Sequence, residues 1–207
     1  KGEEAVLAVA GEAAALAGAS DEPDAIQSIQ SILADAGALL DAGGRPRAIA
    51  AADGLAAGLQ RAGKTAGESP GWASLFAAAV KAAGDSGSDR AERARAISLL
   101  AHAPWEMAGD ALSTLLDSHA DLDLQLAAAR ALGVQPAPGA AQTLIGAWPR
   151  STPRLRGAIL DALMARPGRL GTLAEALESD AVSPRDIDLA RRQVRQGEVE
   201  RRRAKRE

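Results

Sequence analysis

The chain has 207 residues, a formal net charge of −3 and no cysteine. The lack of cysteine excludes disulfides, thiolate metal sites and cysteine nucleophiles, and the negative charge argues against general nucleic-acid binding. Aromatic residues make up only 2% of a chain rich in alanine and leucine, which favours thin, closely packed helices over a large globular core. No apolar run approaches the length of a membrane span.

The first 66 residues predict an N-terminal helical segment that is rich in alanine. A first helix is predicted over 3–18, with one side formed by Val6, Val9, Ala13 and Leu16. A second begins at Ser20 or Asp21 and has a seam close to a heptad repeat, consisting of Ile26, Ile29, Leu33, Ala36 and Leu40. A third opens at Pro46 and carries the apolar stripe Ile49, Ala52, Leu55 and Leu59. These helices form a bundle or further repeats, and the sequence leaves both open.

The third helix ends in a match to the phosphate-loop pattern GxxxxGKT, made by Gly58, Gly63, Lys64 and Thr65. In such a loop, backbone amides hold phosphates, the lysine neutralises charge and the threonine binds magnesium. That chemistry requires a strand before the loop and a long helix after it. Here an alanine-rich helical segment precedes the match, and Pro70 follows closely. We therefore interpret the match as a helix C-terminus with Gly63 as its left-handed cap, and nucleotide binding stays an alternative.

Residues 67–207 are predicted to form pairs of short amphipathic helices. A loop at 63–71 precedes the first of these helices, and a second break at 84–88 follows it. Equivalent positions recur with a period of about 30 residues. The three columns are Leu100, Leu132 and Leu163; Leu112, Leu144 and Leu173; and Leu116, Trp148 and Leu177. One isolated pair cannot bury its apolar stripe, whereas stacked pairs can, so we expect these side chains to be buried. A last helix starts near Ser183.

The first helices of these pairs resemble HEAT repeats. The pattern DxxxRxxAxxxL fits Asp89, Arg93, Ala96 and Leu100, and it recurs at Asp121 with Gln125 in place of arginine and at Thr152 with Arg156. The resemblance implies an all-α fold, a HEAT-like superhelix of antiparallel helix pairs following the N-terminal bundle. It also implies that the Asp or Thr caps the helix and that the Arg ties neighbouring pairs, in a ladder that is discontinuous here.

A narrower resemblance covers about residues 69–193, through SPGWASLFAAAV, RARAISLL and LQLAAARALG. This stretch is similar to the HEAT-like segment of large secreted planctomycete proteins that also contain a β-propeller and a c-type cytochrome module. The resemblance implies a middle piece of a longer extracytoplasmic protein. The residues after Gly197 resemble the opening of another repeat without its apolar positions, so we expect the array to be truncated at its C-terminal end. The sequence alone leaves the localisation unknown. The haem motif CxxCH is absent, so no haem is implied.

Residues suited to catalysis or metal binding are few. The only histidines are His102 and His119, and the acids near His119 match no calcium loop. We expect that region to be a connection in which Asp121 or Asp123 caps the next helix. The serines form no GxSxG elbow. The sequence therefore predicts no enzyme, no metal and no cofactor.

The functional hypothesis is a non-catalytic scaffold or protein-interaction segment whose partner is another protein or a neighbouring domain of the same chain. Five residues are candidates for its interaction surface: Trp72, Trp105, Arg93, Arg130 and Arg156. Trp148 shares a core column and is expected to be buried. The first alternative is a nucleic-acid-binding array, which needs a basic stripe drawn from Arg93, Arg130, Arg154, Arg156, Arg166 and Arg169. The second alternative is the nucleotide site at 58–65.

Overall fold

The computed structural model describes residues 11–17, 19, 45–66, 70–117, 121–185 and 187. Within these residues the chain forms helices joined by turns, and none of them is in a strand. The all-α prediction is confirmed for this part of the chain. The second predicted helix, in 20–44, lies outside the described residues.

The described helices are labelled in chain order. Residues 11–17 form α1, and the others are α2 (Arg45–Arg61), α3 (Pro70–Gly84), α4 (Arg90–Leu100), α5 (Trp105–Asp117), α6 (Leu122–Val134), α7 (Pro138–Ala147), α8 (Pro153–Met164) and α9 (Leu170–Glu178). Two short 3₁₀ helices, Trp148–Arg150 and Pro167–Arg169, follow α7 and α8. Proline begins α7 and α8, where the missing N–H has no helical partner to lose. The Ser183 hydroxyl accepts a hydrogen bond from the Arg185 amide at 3.3 Å, at the predicted start of the last helix.

The leucine columns are buried as predicted. Leu100, Leu132 and Leu163 are each 0% exposed, as are Leu112 and Leu144. The other buried members are Leu116, Trp148 and Leu173, while Leu177 is half-buried. Spacing along each helix therefore identified the packed face correctly.

The chain divides into two compact units, Lys1–Leu112 and Ser113–Glu207. In the first unit, α2 packs against both α3 and α4. Arg45 Nε lies 3.0 Å from Glu92 Oε1 near the start of both α2 and α4. About two turns further along, the Ser98 hydroxyl donates to Asp53 Oδ1 at 2.9 Å. The two contacts occur in the same order along both helices, so α2 and α4 run parallel.

Helix α1 crosses α2 at unusually short range. A Cβ atom at Gly54 would lie 2.0 Å from the carbonyl oxygen of Gly11, and one at Gly58 would lie 2.2 Å from that of Ala15. The predicted side of α1 is wrong, because Ala13 is exposed and Leu16 is 74% exposed, whereas Ala14 is buried. Backbones that approach so closely leave no room for leucine, so the smallest residues form the contact. Val6 and Val9 lie outside the described residues.

In the second unit, α6 packs against α7 and α8, and α7 packs against α8 and α9. A Cβ atom at Gly133, near the end of α6, would lie 3.1 Å from Ala162 Cβ, near the end of α8. The carboxyl ends of α6 and α8 are therefore adjacent, and the two helices run parallel. Helices α2, α6 and α7 each contact both their next and their next-but-one neighbour along the chain.

Candidate interaction surface

A polar side chain in the first turn of α4, α6 and α8 reaches back to the end of the preceding helix. Arg93 Nε donates to the carbonyl of Ala83 at 3.0 Å, and Gln125 Nε2 donates to that of Leu116 at 3.4 Å. Arg156 Nε donates to the carbonyl of Trp148 at 3.1 Å. The last carbonyls of a helix have no partner within it and carry partial negative charge, so these donors satisfy and stabilise helix ends.

The capping residues before these helices differ among the three positions. Asp121 Oδ1 accepts from the Asp123 amide at 2.9 Å, which confirms the predicted cap of α6. Thr152 Oγ1 accepts from the Leu155 amide at 3.3 Å. Asp89 stands at the same position before α4 but makes no side-chain capping hydrogen bond. The donor column, Arg93, Gln125 and Arg156, is thus more regular than the capping residues Asp89, Asp121 and Thr152.

The turn after α8 contains Arg166 and Arg169, two of the arginines considered for a nucleic-acid stripe. Arg169 is 5% exposed and donates to the carbonyls of Leu132 at 2.9 Å, Ala162 at 3.0 Å and Gly133 at 3.2 Å, and also to that of Gln135. Arg166 donates to the carbonyls of Gly133 and Val134. Together they close the carboxyl end of α6.

Burial lowers the pKa of Arg169, and the nearby positive charge of Arg166 lowers it further. A guanidinium nevertheless stays charged in proteins. The partial negative charge at the carboxyl end of α6 is what the two cations face. These arginines therefore stabilise the fold and do not form part of an open cationic surface.

Two tryptophans among the surface candidates have different environments. Trp72 is 3% exposed and stacks on Phe76 with 5.4 Å between ring centroids, so it is not an exposed anchor. Trp105 is half-buried, and its ring lies against Gly109 of its own helix, where a Cβ atom would come within 2.9 Å. Trp105 is the more accessible of the two.

Trp148 is 1% exposed, in agreement with its predicted place in a core column. The Arg156 guanidinium lies 5.6 Å from the centroid of its ring, close enough for a cation–π contact. Arg156 Nη2 also donates to the carbonyl of Pro149 at 3.3 Å. Among the described residues, the buried indole N–H groups of Trp72 and Trp148 have no hydrogen-bond partner.

The basic residues named for a nucleic-acid surface separate into two groups. Arg93, Arg156, Arg166 and Arg169 donate to backbone carbonyls at helix ends. Arg130 and Arg154 are exposed on α6 and α8. Hydrogen bonds to helix ends orient the four side chains of the first group. Only Arg130 and Arg154, of these six arginines, lie on the surface without a recorded contact to a helix end.

The GxxxxGKT match is the carboxyl end of α2, as interpreted from the sequence. Gly63 has a φ of 72°. Its amide donates to the Gln60 carbonyl at 3.0 Å, and the Lys64 amide donates to the Leu59 carbonyl at 2.8 Å. These two bonds form a Schellman motif. The amides that would hold phosphate in a phosphate loop are therefore directed at helix carbonyls.

Two ionisable groups in the first unit have shifted pKa values. Burial raises the pKa of Asp53 to about 6, although its hydrogen bond from Ser98 lowers the pKa in part. Burial lowers the pKa of His102, which favours the neutral imidazole at pH 7. His119 lies outside the described residues.

The described residues contain no group of three or more metal-ligating side chains. None of the helices they form combines the length and apolar character needed to cross a bilayer. Comparisons with protein-family models, with curated proteins and with solved structures find no significant match to this chain.

Proposed function

We propose that this chain is a non-catalytic helical-repeat segment that acts as a scaffold and protein-interaction surface in a longer protein. The observation that carries the proposal is the donor column Arg93, Gln125 and Arg156. These three residues recur about every 30 residues, the spacing of stacked helix-pair repeats. Each of them fixes the start of one pair to the end of the helix before it.

The mechanism is geometric. A repeat array presents an extended surface and holds neighbouring modules at a set distance, because each pair is fixed against the next. The buried leucine columns supply the packing and the donor column supplies the register. The HEAT-like superhelix, the protein or neighbouring-domain partners and the extracytoplasmic parent protein suggested by the resemblance are parts of this proposal.

The environment of the arginines favours this role over nucleic-acid binding. A phosphate-binding stripe needs several side chains that project freely, since each phosphate contact releases counterions and adds to affinity. Four of the six arginines that such a stripe would use donate to helix carbonyls. A DNA mobility-shift titration at low salt should show no salt-sensitive complex, and Arg130→Glu with Arg154→Glu should leave that result unchanged.

The spacer role is tested by distance measurements between spin labels. The chain has no cysteine, so labels attach only at introduced sites. Arg47→Cys with Glu178→Cys places labels on exposed positions of α2 and α9. Gln142→Cys with Glu178→Cys, within the second unit, is the matched reference.

A rigid spacer gives one distance distribution for the first pair of labels, nearly as narrow as that of the reference pair. A distribution several times broader than the reference would reject the spacer role while leaving the fold of each unit intact. Circular dichroism of the labelled variants serves as the folding control.

A further inference from the structure

Asp53 lies on α2 where this helix packs against α4. Its carboxylate accepts a hydrogen bond of 2.9 Å from the Ser98 hydroxyl. The Asp53 side chain is only partly exposed, whereas Ser98 is exposed at the edge of this contact. A hydroxyl is a neutral donor, so it compensates a partly buried negative charge less well than a cation would.

Three cations on the neighbouring elements contact other groups, Arg47, Lys81 and Arg90 are exposed, and Arg95 on α4 is half-buried. Arg45 pairs with Glu92 at 3.0 Å, and Arg61 Nη2 donates to the Ala15 carbonyl at 3.5 Å. Arg93 on α4 donates to the Ala83 carbonyl at 3.0 Å. The remaining charged or titratable groups on α1 to α4 and in the turn after α4 are Glu12, Arg47, Lys81, Arg90, Arg95 and His102.

The two influences that shift the pKa of Asp53 are burial, which raises it, and the Ser98 hydrogen bond, which lowers it. No charged neighbour is among the causes of this shift. The segment 20–44 contains five acidic residues and no Lys, Arg or His, so it has no cation to offer. Within the described part of the chain, the Asp53 carboxylate is thus a partly buried charge with no cation recorded against it.

We propose that the Asp53–Ser98 contact is a pH-responsive latch, which holds α2 against α4 more firmly when the Asp53 carboxyl is protonated. The neutral carboxyl keeps the hydrogen bond with Ser98 and does not suffer desolvation of a charge. The ion pair of Arg45 with Glu92 joins the same two helices.

The direction of the effect follows from proton linkage. Burial raises the pKa of Asp53 to about 6 in the folded chain, against an ordinary aspartate value of 3.8. Between these values the folded state binds more protons than the unfolded state, so stability falls as pH rises. The penalty is absent below about pH 4 and fully present above about pH 6. Opening of α2 from α4 should then be favoured about tenfold or more at pH 7.5 relative to pH 5.

Two measurements on the full chain test the latch. Carboxyl ¹³C NMR follows the titration of Asp53 directly, and the midpoint should lie near 6, moving higher in Ser98→Ala. Hydrogen–deuterium exchange of α2 and α4, corrected for intrinsic rates, should show about tenfold weaker protection at pH 7.5 than at pH 5. Asp53→Asn should have equal protection at both values, whereas Asp110→Asn, at an exposed aspartate of the same unit, should behave as the wild type.

A titration midpoint near 4 would overturn the proposal. So would a wild-type pH dependence of exchange that persists in Asp53→Asn, or a midpoint near 6 without any change in exchange. The titration is measured on the wild type, so it remains decisive even if Asp53→Asn fails to fold.

Discussion

Arg169 is a charged side chain buried in the second unit. Among the described residues, no carboxylate is paired with it. It is 5% exposed and donates to four backbone carbonyls, three of them at the end of α6. A planar guanidinium reaches several acceptors at once, and the helix dipole provides negative potential at that end. The residue therefore links α6, α8 and the turn that leads into α9.

Replacing Arg169 with methionine should lower the free energy of unfolding by about 3 kcal/mol, because buried carbonyls lose their donor. Arg169→Lys keeps the charge but not the planar fork, so about half of that loss is expected. Urea unfolding followed by circular dichroism measures both. Arg154→Met, at an exposed position of α8, is the control and should stay within about 0.5 kcal/mol of the wild type. If Arg169→Met matches this control, the carbonyl contacts are not stabilising.

At the scale of helices, the donor column joins each pair to the helix before it. Two positions use arginine and the middle one uses Gln125, whose contact with the Leu116 carbonyl is 3.4 Å long. Arg156, by comparison, contacts two carbonyls and the ring of Trp148. The middle junction therefore lacks the charge-assisted bond that its neighbours have.

Gln125→Arg should raise the free energy of unfolding by about 0.5–1 kcal/mol, since a cation at the end of α5 adds a charge-assisted hydrogen bond and a favourable dipole interaction. Thermal unfolding at low and high salt measures the gain, which should shrink as salt increases. Gln142→Arg, in the middle of α7 and exposed, adds the same charge away from a helix end and should change stability less. Equal effects of the two variants would show that net charge, and not the junction, is responsible.

The leucine columns give a second prediction for the helices. Leu132 is 0% exposed, so Leu132→Asp would bury an unpaired charge and should destabilise the chain by about 4 kcal/mol or more. Gln142→Asp, at an exposed position of the same unit, should cost no more than about 0.5 kcal/mol. Chemical denaturation distinguishes the two, and a wild-type midpoint for Leu132→Asp would show that the assigned column is wrong.

Sequence spacing predicted α2 to α9 well because their buried stripes consist of leucine, isoleucine and alanine at helical intervals. It placed the wrong side of α1 toward the protein, since the contact at Gly54 and Gly58 depends on backbone approach and not on apolar side chains. It named Arg169 only as a candidate for a nucleic-acid stripe, because the burial of this side chain depends on the 3₁₀ turn at Pro167–Arg169. The burial of Trp72 was missed too, because a helix start gives no periodic signal.

At the scale of the molecule, the two units divide within α5, between Leu112 and Ser113. Helix α2, from the segment assigned by sequence to the N-terminal region, packs with α3 and α4 in the first unit. Within each unit, helices one pair apart run parallel. The sequence predicted the helix pairs and their buried columns, whereas the division within α5 depends on long-range contacts that local spacing does not encode.

The position of the division predicts how fragments of the chain behave. A fragment of residues 113–207 keeps only five residues of α5, too few to hold a helix on their own. Its Leu115 and Leu116, which are 5% and 4% exposed in the whole chain, would lose their packing. The Leu116 carbonyl would no longer be held in position to accept the hydrogen bond from Gln125.

A fragment of residues 104–207 keeps α5 whole, so it should unfold cooperatively and be more stable by about 3 kcal/mol. Urea unfolding of both fragments, followed at 222 nm, measures the difference. Equal stability of the two fragments would mean that α5 contributes nothing to the second unit and that its helical conformation depends on residues before 113.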